Sequence, residues 1–344
     1  RVVLKSDNGI EEYEYEDKNK LNFKSNIYLG TVSRVEPSLQ AAFVNFGRVK
    51  QGFLAFNDIQ SDYYQIPQSD LAIIKEEEEK EREELQKRSE KEEEKNITEG
   101  NLDVNDPVEV KLESDIDLST SDSQSGDETI IDGGSSQEIQ VINIKKPEPR
   151  FRSKRYKIQE VIKPNQVILI QVLKDERGQK GAALSTFISI AGKYIVLMPN
   201  TPKGGGISRK IFNPGERKKI RTILNDISIP KEMGLIVRTA GSNKTKNDID
   251  HDLQALIKTW NGIKETALDS IAPSLIHQES DIIKRTLRDL YDEDTSSIVI
   301  EGNEGYKKAQ NFMKTMMPSH VKKIKKYREK VPLFFNENIE EKLN

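Results

Sequence analysis

The sequence predicts an α+β multidomain protein: an OB-fold β-barrel interrupted by a long disordered insertion, followed by an α/β half. Three features of the pattern carry this prediction. Short strand-like segments with Gly-marked bends lie on both sides of one low-complexity tract and share the same style. The tract has too few apolar residues to offset the entropy of ordering it. Beyond it, apolar strand-like runs alternate with segments of helical period.

Taken in order, RVVL at residues 1–4 reads as the inside of a strand, and NIYLGTVSRVEP (26–37) as the next one. AAFVNFGRVKQGFLAF (41–56) reads as a hairpin. Side chains alternate along a strand, so Val44 and Phe46 share one face and Ala41 and Phe43 the other. After a turn through Gly47 to Lys50, Leu54 and Phe56 point one way and Phe53 the other. The hairpin therefore places Phe43 and Phe53 together, opposite the core. Residues 70–153 form the insertion, beginning with KEEEEKEREELQKRSEKEEEK (75–95), whose Glu and Lys also suit a solvated helix. NQVILIQVLKDERGQKGAALS (165–185) resumes the barrel with a buried-type strand and a charged turn.

The α/β half follows. KYIVLMP (193–199) and GLIVRTAG (234–241) are strand-like, GGGISRK (204–210) is a flexible basic loop, and GERKKIRTILNDI (215–227) has helical spacing. In residues 247–268, Ile249, Leu253, Leu256, Ile257, Trp260 and Ile263 line one helical face, with Asp248 as a candidate cap. A helix near 280–291, a strand at 297–300 and a helix near 306–317 complete the pattern.

Composition narrows the partners. The 344 residues contain no cysteine and only three histidines, His251, His277 and His320, so disulfides and thiolate metal sites are excluded and no local histidine motif stands out. No apolar run reaches the roughly 18 residues of a membrane span, and a soluble, cytoplasmic protein is the expectation. The net charge of −3 hides an asymmetry: residues 75–138 carry 23 Asp and Glu against 8 Lys and Arg, leaving 34 acids against 46 bases elsewhere. A basic folded part favours an anionic partner, and nucleic acid is the commonest.

Two places offer chemistry. Aromatic rings on the outer face of a small barrel are stacking platforms for unpaired bases, with nearby cations for the backbone. Phe43 and Phe53 fit this, with Arg48 and Lys50 in the hairpin turn and Lys174, Arg177 and Lys180 in the turn LKDERGQKG; the alternative is that the next domain covers the rings. Arg238 and Thr239 leave a strand at a Gly-bounded loop, where a guanidinium, a hydroxyl and backbone N–H groups make a phosphate cradle. The plainer reading is a solvated or salt-bridged arginine. His277 is expected to cap or pack at a helix start, and no compact carboxylate cluster for metal-assisted hydrolysis is visible.

The blocks NIYLGTVSRVEPSLQAAFVNFGRVKQGFLAF, KDERGQKGAALSTFISIAGKYIVLMPN, GGGISRKI, MGLIVRTAG and LIHQES, in this order, closely resemble the N-terminal half of the bacterial ribonuclease E/G family. The resemblance implies an RNase H-like first part at 1–25, an OB-fold RNA-binding domain at 26–69 and 154–186, a 5′-sensor domain at 187–275 and the second part of the RNase H-like domain at 276–344. It implies that Phe43, Phe53 and Lys180 contact RNA, and that Gly192, Val196, Arg238 and Thr239 hold a 5′-monophosphate. It places the catalytic aspartates with Mg²⁺, in a DNase I-like domain, and the Zn²⁺ link between protomers in segments outside this chain. The expected function is the substrate-binding portion of a single-strand-specific endoribonuclease of RNA processing and mRNA decay, homo-oligomeric and a component of an RNA-decay complex, in the cytoplasm or at the inner face of the membrane. A non-catalytic RNA-binding adaptor is the alternative.

Overall fold

The computed structural model describes residues 1–6, 9–17, 23–77, 80, 156–178, 180–201, 206–227, 229–230, 233–279, 281–292 and 294–343. Most of the expected insertion lies outside them. Over residues 70–77 the chain is helical, continuing a helix that starts at 68.

The first strands, β1 (Val2–Ser6) and β2 (Gly9–Glu14), pair as an antiparallel ribbon, so RVVL does enter a strand. The barrel consists of β3 (Ile27–Glu36), β4 (Ala41–Asn45), β5 (Gly52–Ala55), β6 (Val167–Lys174) and β7 (Ala183–Ser185). They run in the order β3-β4-β5-β7-β6, and β6 pairs with β3 to close the cylinder. Segments from both sides of the insertion thus build one closed five-stranded OB-type barrel. Closure removes the free sheet edges, and it depends on β3 being long: residues 27–31 pair with β6 while 31–36 pair with β4.

Val32, Val44, Phe46, Leu54, Ile170 and Leu184 fill the interior. Each such side chain contributes about 1.5–3 kcal/mol when taken from water. Gly47 sits at φ +86° in the hairpin turn, a backbone conformation that glycine adopts without penalty. One parity expectation needs correction: Ala41, placed with Phe43 on the outer face, is fully buried. It is flanked by Glu36 and Ala55 on neighbouring strands, and a methyl between two strand partners lies below the reach of solvent.

A second sheet follows, made of β8 (Ile190–Ala191), β9 (Ile195–Met198), β10 (Gly206–Ile207) and β11 (Gly234–Val237) in the order β10-β11-β9-β8. The middle of the GGGISRK segment expected to be a flexible loop therefore pairs, through Gly206 and Ile207, in parallel with β11. The helix Lys246–Asp269 lays Ile249, Leu253, Leu256, Trp260 and Ile263 on this sheet, the face that its periodicity predicts. Its cap is Thr245, not Asp248: the Thr245 hydroxyl accepts from the Asp248 N–H while the Asp248 carboxylate accepts from the Thr245 N–H, a reciprocal capping box.

Strand β12 (Ser274–His277) pairs antiparallel with β3, so His277 lies in a strand and not at a helix start. Strand β3 thereby serves two cores, with Tyr28 in the barrel and Ile27 against the second sheet. Before two short closing helices, Leu333–Asn336 and Ile339–Leu343, come the helix Ile282–Asp289 and a β13 (Ile298–Ile300), helix Asn303–Met316, β14 (Ile324–Lys326) unit whose strands are parallel. These pack around Leu287, Tyr291, Ala309, Met313 and Ile324. Ion pairs Arg1–Glu340, Lys5–Glu337 and Arg285–Glu14 tie the first ribbon to this last part. Among the described residues no helix is long and apolar enough to cross a membrane.

Candidate nucleic-acid interface

Phe43 and Phe53 are direct cross-strand partners between β4 and β5, on the outside of the barrel. Their rings meet edge-to-face at 6.0 Å, and Phe53 is 36% exposed. Following the register sideways extends the pair into a row. Phe43 stands beside Arg34 on β3, Phe53 beside Ala183 on β7, and Ala183 beside Lys174 on β6. The row Arg34–Phe43–Phe53–Ala183–Lys174 thus crosses all five barrel strands, with rings at the centre and cations at the ends. The Arg34 guanidinium lies 4.3 Å from the Phe43 ring centroid, within cation–π range.

Two β-bulges produce this arrangement. Simple alternation from Val32, which faces the core, would turn Arg34 inward; an irregularity between Val32 and Arg34 turns it outward beside Phe43. A second irregularity, between Val172 and Lys174, does the same for Lys174. Arg34 is thus a site residue that period-two reading misses.

The turn cations sit close by. Arg177 and Lys180 exchange backbone hydrogen bonds across a tight turn at Gly178, and both side chains are exposed. Lys50 Nζ donates to the Gly178 carbonyl at 2.5 Å, joining the hairpin turn to this one. Arg48 turns away and stacks on Phe23, 4.7 Å from its centroid.

Arg238 and Thr239 follow β11, where Thr239–Gly241 form a single 3₁₀ turn. Thr239 is exposed and lines a cleft of about 280 Å³ with Lys193, Tyr194, Lys244, Asp289 and Asp292 among its walls. The Arg238 guanidinium is held on two sides: Nη1 donates to the Gly192 carbonyl at 2.8 Å, and Nη2 to Asp289 Oδ1 at 2.6 Å. Asp289 is also gripped by Arg288, Nε to Oδ1 at 3.1 Å and Nη2 to Oδ2 at 3.0 Å, and Arg288 is paired in turn with Glu279. Burial opposes ionisation of Asp289, but hydrogen bonds from Arg288 and Arg238 outweigh it and hold its carboxyl below the usual carboxylate range.

Beneath this lies a buried carboxylate. Asp252, 2% exposed, accepts from the backbone N–H groups of Lys193, Tyr194 and Ile195. Burial pushes its pKa up against those three donors. The carboxylate presses so closely on Gly192 that a Cβ there would lie 2.5 Å from Asp252 Oδ2, so only glycine fits. Val196, half-buried, sits between Ala191 and Ile236 in the sheet. The structure therefore brings Gly192, Arg238 and Thr239 to one place, with Val196 in the adjoining strand. Sequence reasoning misses Asp289, which a helix near 280–291 carries without any local signal.

A family model described as the Ribonuclease E/G family matches residues 189–344. Over its whole length the chain is 31% identical to the ribonuclease E of Haemophilus influenzae, covering 28% of that protein. It is 30% identical to the ribonuclease E of Escherichia coli, covering 25%, and 30% identical to a putative ribonuclease E of Buchnera aphidicola subsp. Baizongia pistaciae, covering 64%. The chain belongs to the ribonuclease E/G family. It spans less than a third of the length of the first two relatives.

Proposed function

We propose that this chain is the RNA-holding portion of a single-strand-specific endoribonuclease acting in RNA processing and mRNA decay. Unpaired RNA lies across the barrel on Phe43 and Phe53, with Arg34, Lys174, Arg177 and Lys180 facing its phosphates. Its 5′-monophosphate is held by Arg238 and Thr239 beside Gly192, with Val196 beneath the terminal nucleotide, so residues 187–275 act as a 5′ sensor. The part built from residues 1–25 and 276–344 is RNase H-like in this reading. The observation that supports it most is the cross-strand row: aromatic rings between two cations, on the solvent side of a closed barrel, suit a strand of unpaired nucleotides and no small metabolite. Base stacking contributes about 1–3 kcal/mol per base, enough with a few phosphate contacts for a useful affinity.

Among the described residues no group of three or more His, Cys, Asp or Glu that could hold a metal ion is found. We place Mg²⁺-dependent cleavage and any zinc link between protomers of a homo-oligomer elsewhere in the protein. Membership of an RNA-decay complex and a cytoplasmic or inner-membrane-face location belong to the same proposal. Binding of a single-stranded oligonucleotide to the intact protein, with a duplex of the same sequence as competitor and with 5′-monophosphate and 5′-hydroxyl forms, tests the reading. A preference for the unpaired, phosphorylated form is expected; equal binding of duplex and single strand would overturn it.

A further inference from the structure

We propose that Asp289 occupies the phosphate position in the free protein and attenuates the site, so that an RNA end is held there only if it brings an anion able to displace this carboxylate. The inference rests on the 5′-sensor reading above. Arg238 is pinned along one edge, where Nη1 donates to the Gly192 carbonyl at 2.8 Å. Its other terminal nitrogen is the one turned to an anion, and the anion present is Asp289 Oδ1 at 2.6 Å. The two side chains are 29% and 28% exposed, so solvent and ligand reach the pair. Asp289 also lines the cleft that Thr239 lines. A phosphate bound to Arg238 and Thr239 must therefore take the place of the carboxylate or share the guanidinium with it.

Two features make displacement feasible. Asp289 keeps a second, two-point partner in Arg288, with distances of 3.1 and 3.0 Å, so on leaving Arg238 its charge stays compensated. The exchange replaces one charge-assisted hydrogen bond by another, so its net free energy is the difference between two similar terms. That difference depends on the incoming anion. A phosphomonoester brings up to two negative charges and three terminal oxygens; an internal phosphodiester brings one charge and two oxygens; a 5′-hydroxyl brings no charge and leaves Asp289 in place. The carboxylate thus charges every anion that takes its place the same displacement cost and leaves a neutral end untouched, so it weakens the hold on a phosphorylated end, and its removal strengthens that hold.

Substitution of Asp289 tests this. Asp289→Asn keeps the size and one acceptor but removes the charge that competes for Arg238. Because any lost negative charge strengthens binding of all RNA, the quantity that decides is the ratio of affinities for a 3′-labelled oligonucleotide bearing a 5′-monophosphate or a 5′-hydroxyl, measured on the intact protein by fluorescence anisotropy. Glu279→Gln serves as control, since it removes one negative charge from the same cluster without touching Arg238, and Arg238→Ala identifies the sensor contribution; unchanged melting curves exclude misfolding. D289N is expected to tighten binding of the monophosphorylated end on the order of fivefold and to raise the ratio, with the ratio unmoved in E279Q. If the unmodified protein prefers the phosphate, loses that preference in R238A, and shows the same ratio in D289N, the role given to Asp289 is overturned while the sensor reading stands. If neither the unmodified protein nor D289N distinguishes the two ends, both fall.

Discussion

Replacing Phe53 by leucine separates stacking from structure on the barrel face. The ring is 36% exposed, stands opposite Phe43 with centroids 6.0 Å apart, and has half-buried Ala183 beside it on β7. Truncation to alanine would confound two effects, because the covered part of the ring supports the β4–β5 hairpin. Leucine keeps most of that apolar bulk, so the structural cost stays below about 1.5 kcal/mol. The edge-to-face ring pair, which leucine breaks, accounts for about 0.5–1.5 kcal/mol and falls within that cost. What leucine does not offer is a flat π-surface for a base. The stacking contribution of about 1–3 kcal/mol is therefore removed, which corresponds to a Kd about 5- to 150-fold weaker for single-stranded RNA. Fluorescence anisotropy with a 3′-labelled A-rich oligonucleotide at several salt concentrations reads both the size of the effect and its nature. The dependence of log K on log salt is expected to keep its slope, since every cation facing a phosphate is retained. An affinity within twofold of the starting value, in a variant with an unchanged melting curve, would refute base stacking at this ring.

The cations at the ends of the row should behave in the opposite way. Arg34→Gln combined with Lys174→Gln is expected to reduce the salt slope by about 0.7 for each phosphate that the pair neutralises, with a shift that is uniform across sequences. Gly192→Ala should destabilise the fold by about 1–3 kcal/mol in denaturant titration, because its Cβ would press on the Asp252 carboxylate at 2.5 Å. Gly262→Ala, exposed on the long helix with nothing within 4 Å of its Cβ, should instead stabilise by about 0.5–1 kcal/mol. Asp289 has a folded-state pKa below its unfolded value, so the stability it lends is complete above about pH 4 and is lost as pH falls through the folded value. Denaturant titrations at pH 7 and pH 3 should show a smaller acid loss in D289N than in the unmodified protein.

The strands, the long helix and the aromatic pair are legible in the sequence because each depends on a local rule. Period-two alternation puts Phe43 and Phe53 on one face and Leu54 and Phe56 on the other, and the structure agrees at all four. Helical spacing likewise places Leu253, Leu256 and Trp260 in the core. The failures come where local rules are suspended. A β-bulge adds one residue and reverses parity beyond it, so alternation counted from Val32 would turn Arg34 toward the core, whereas it stands on the surface. His277 reads as a helix start because the β12–β3 pairing that makes it a strand joins residues about 250 apart in sequence, a separation shown by the Glu279 N–H to Asn26 Oδ1 bond with |i−j| of 253. Asp289 has no local signature at all, since its importance comes only from the fold placing it against Arg238.

Strand β3 links the two candidate sites more directly than their spacing in sequence suggests. Near its end it presents Arg34 to the aromatic row. Just before its start, the Asn26 side chain accepts the Glu279 N–H at 3.0 Å, and Glu279 pairs with Arg288, which holds Asp289 against Arg238. The barrel face and the arginine cluster are therefore joined through one strand and its hydrogen-bonded neighbours. Such a link matters for a flexible ligand. Under the proposed reading, an RNA chain held at its phosphorylated end would meet the rings as an intramolecular partner, at an effective concentration set by the nucleotides in between. Under the proposed reading, an end contact that must displace a carboxylate would capture little alone, but joined to stacking on Phe43 and Phe53 it would add to the retention of a phosphorylated RNA.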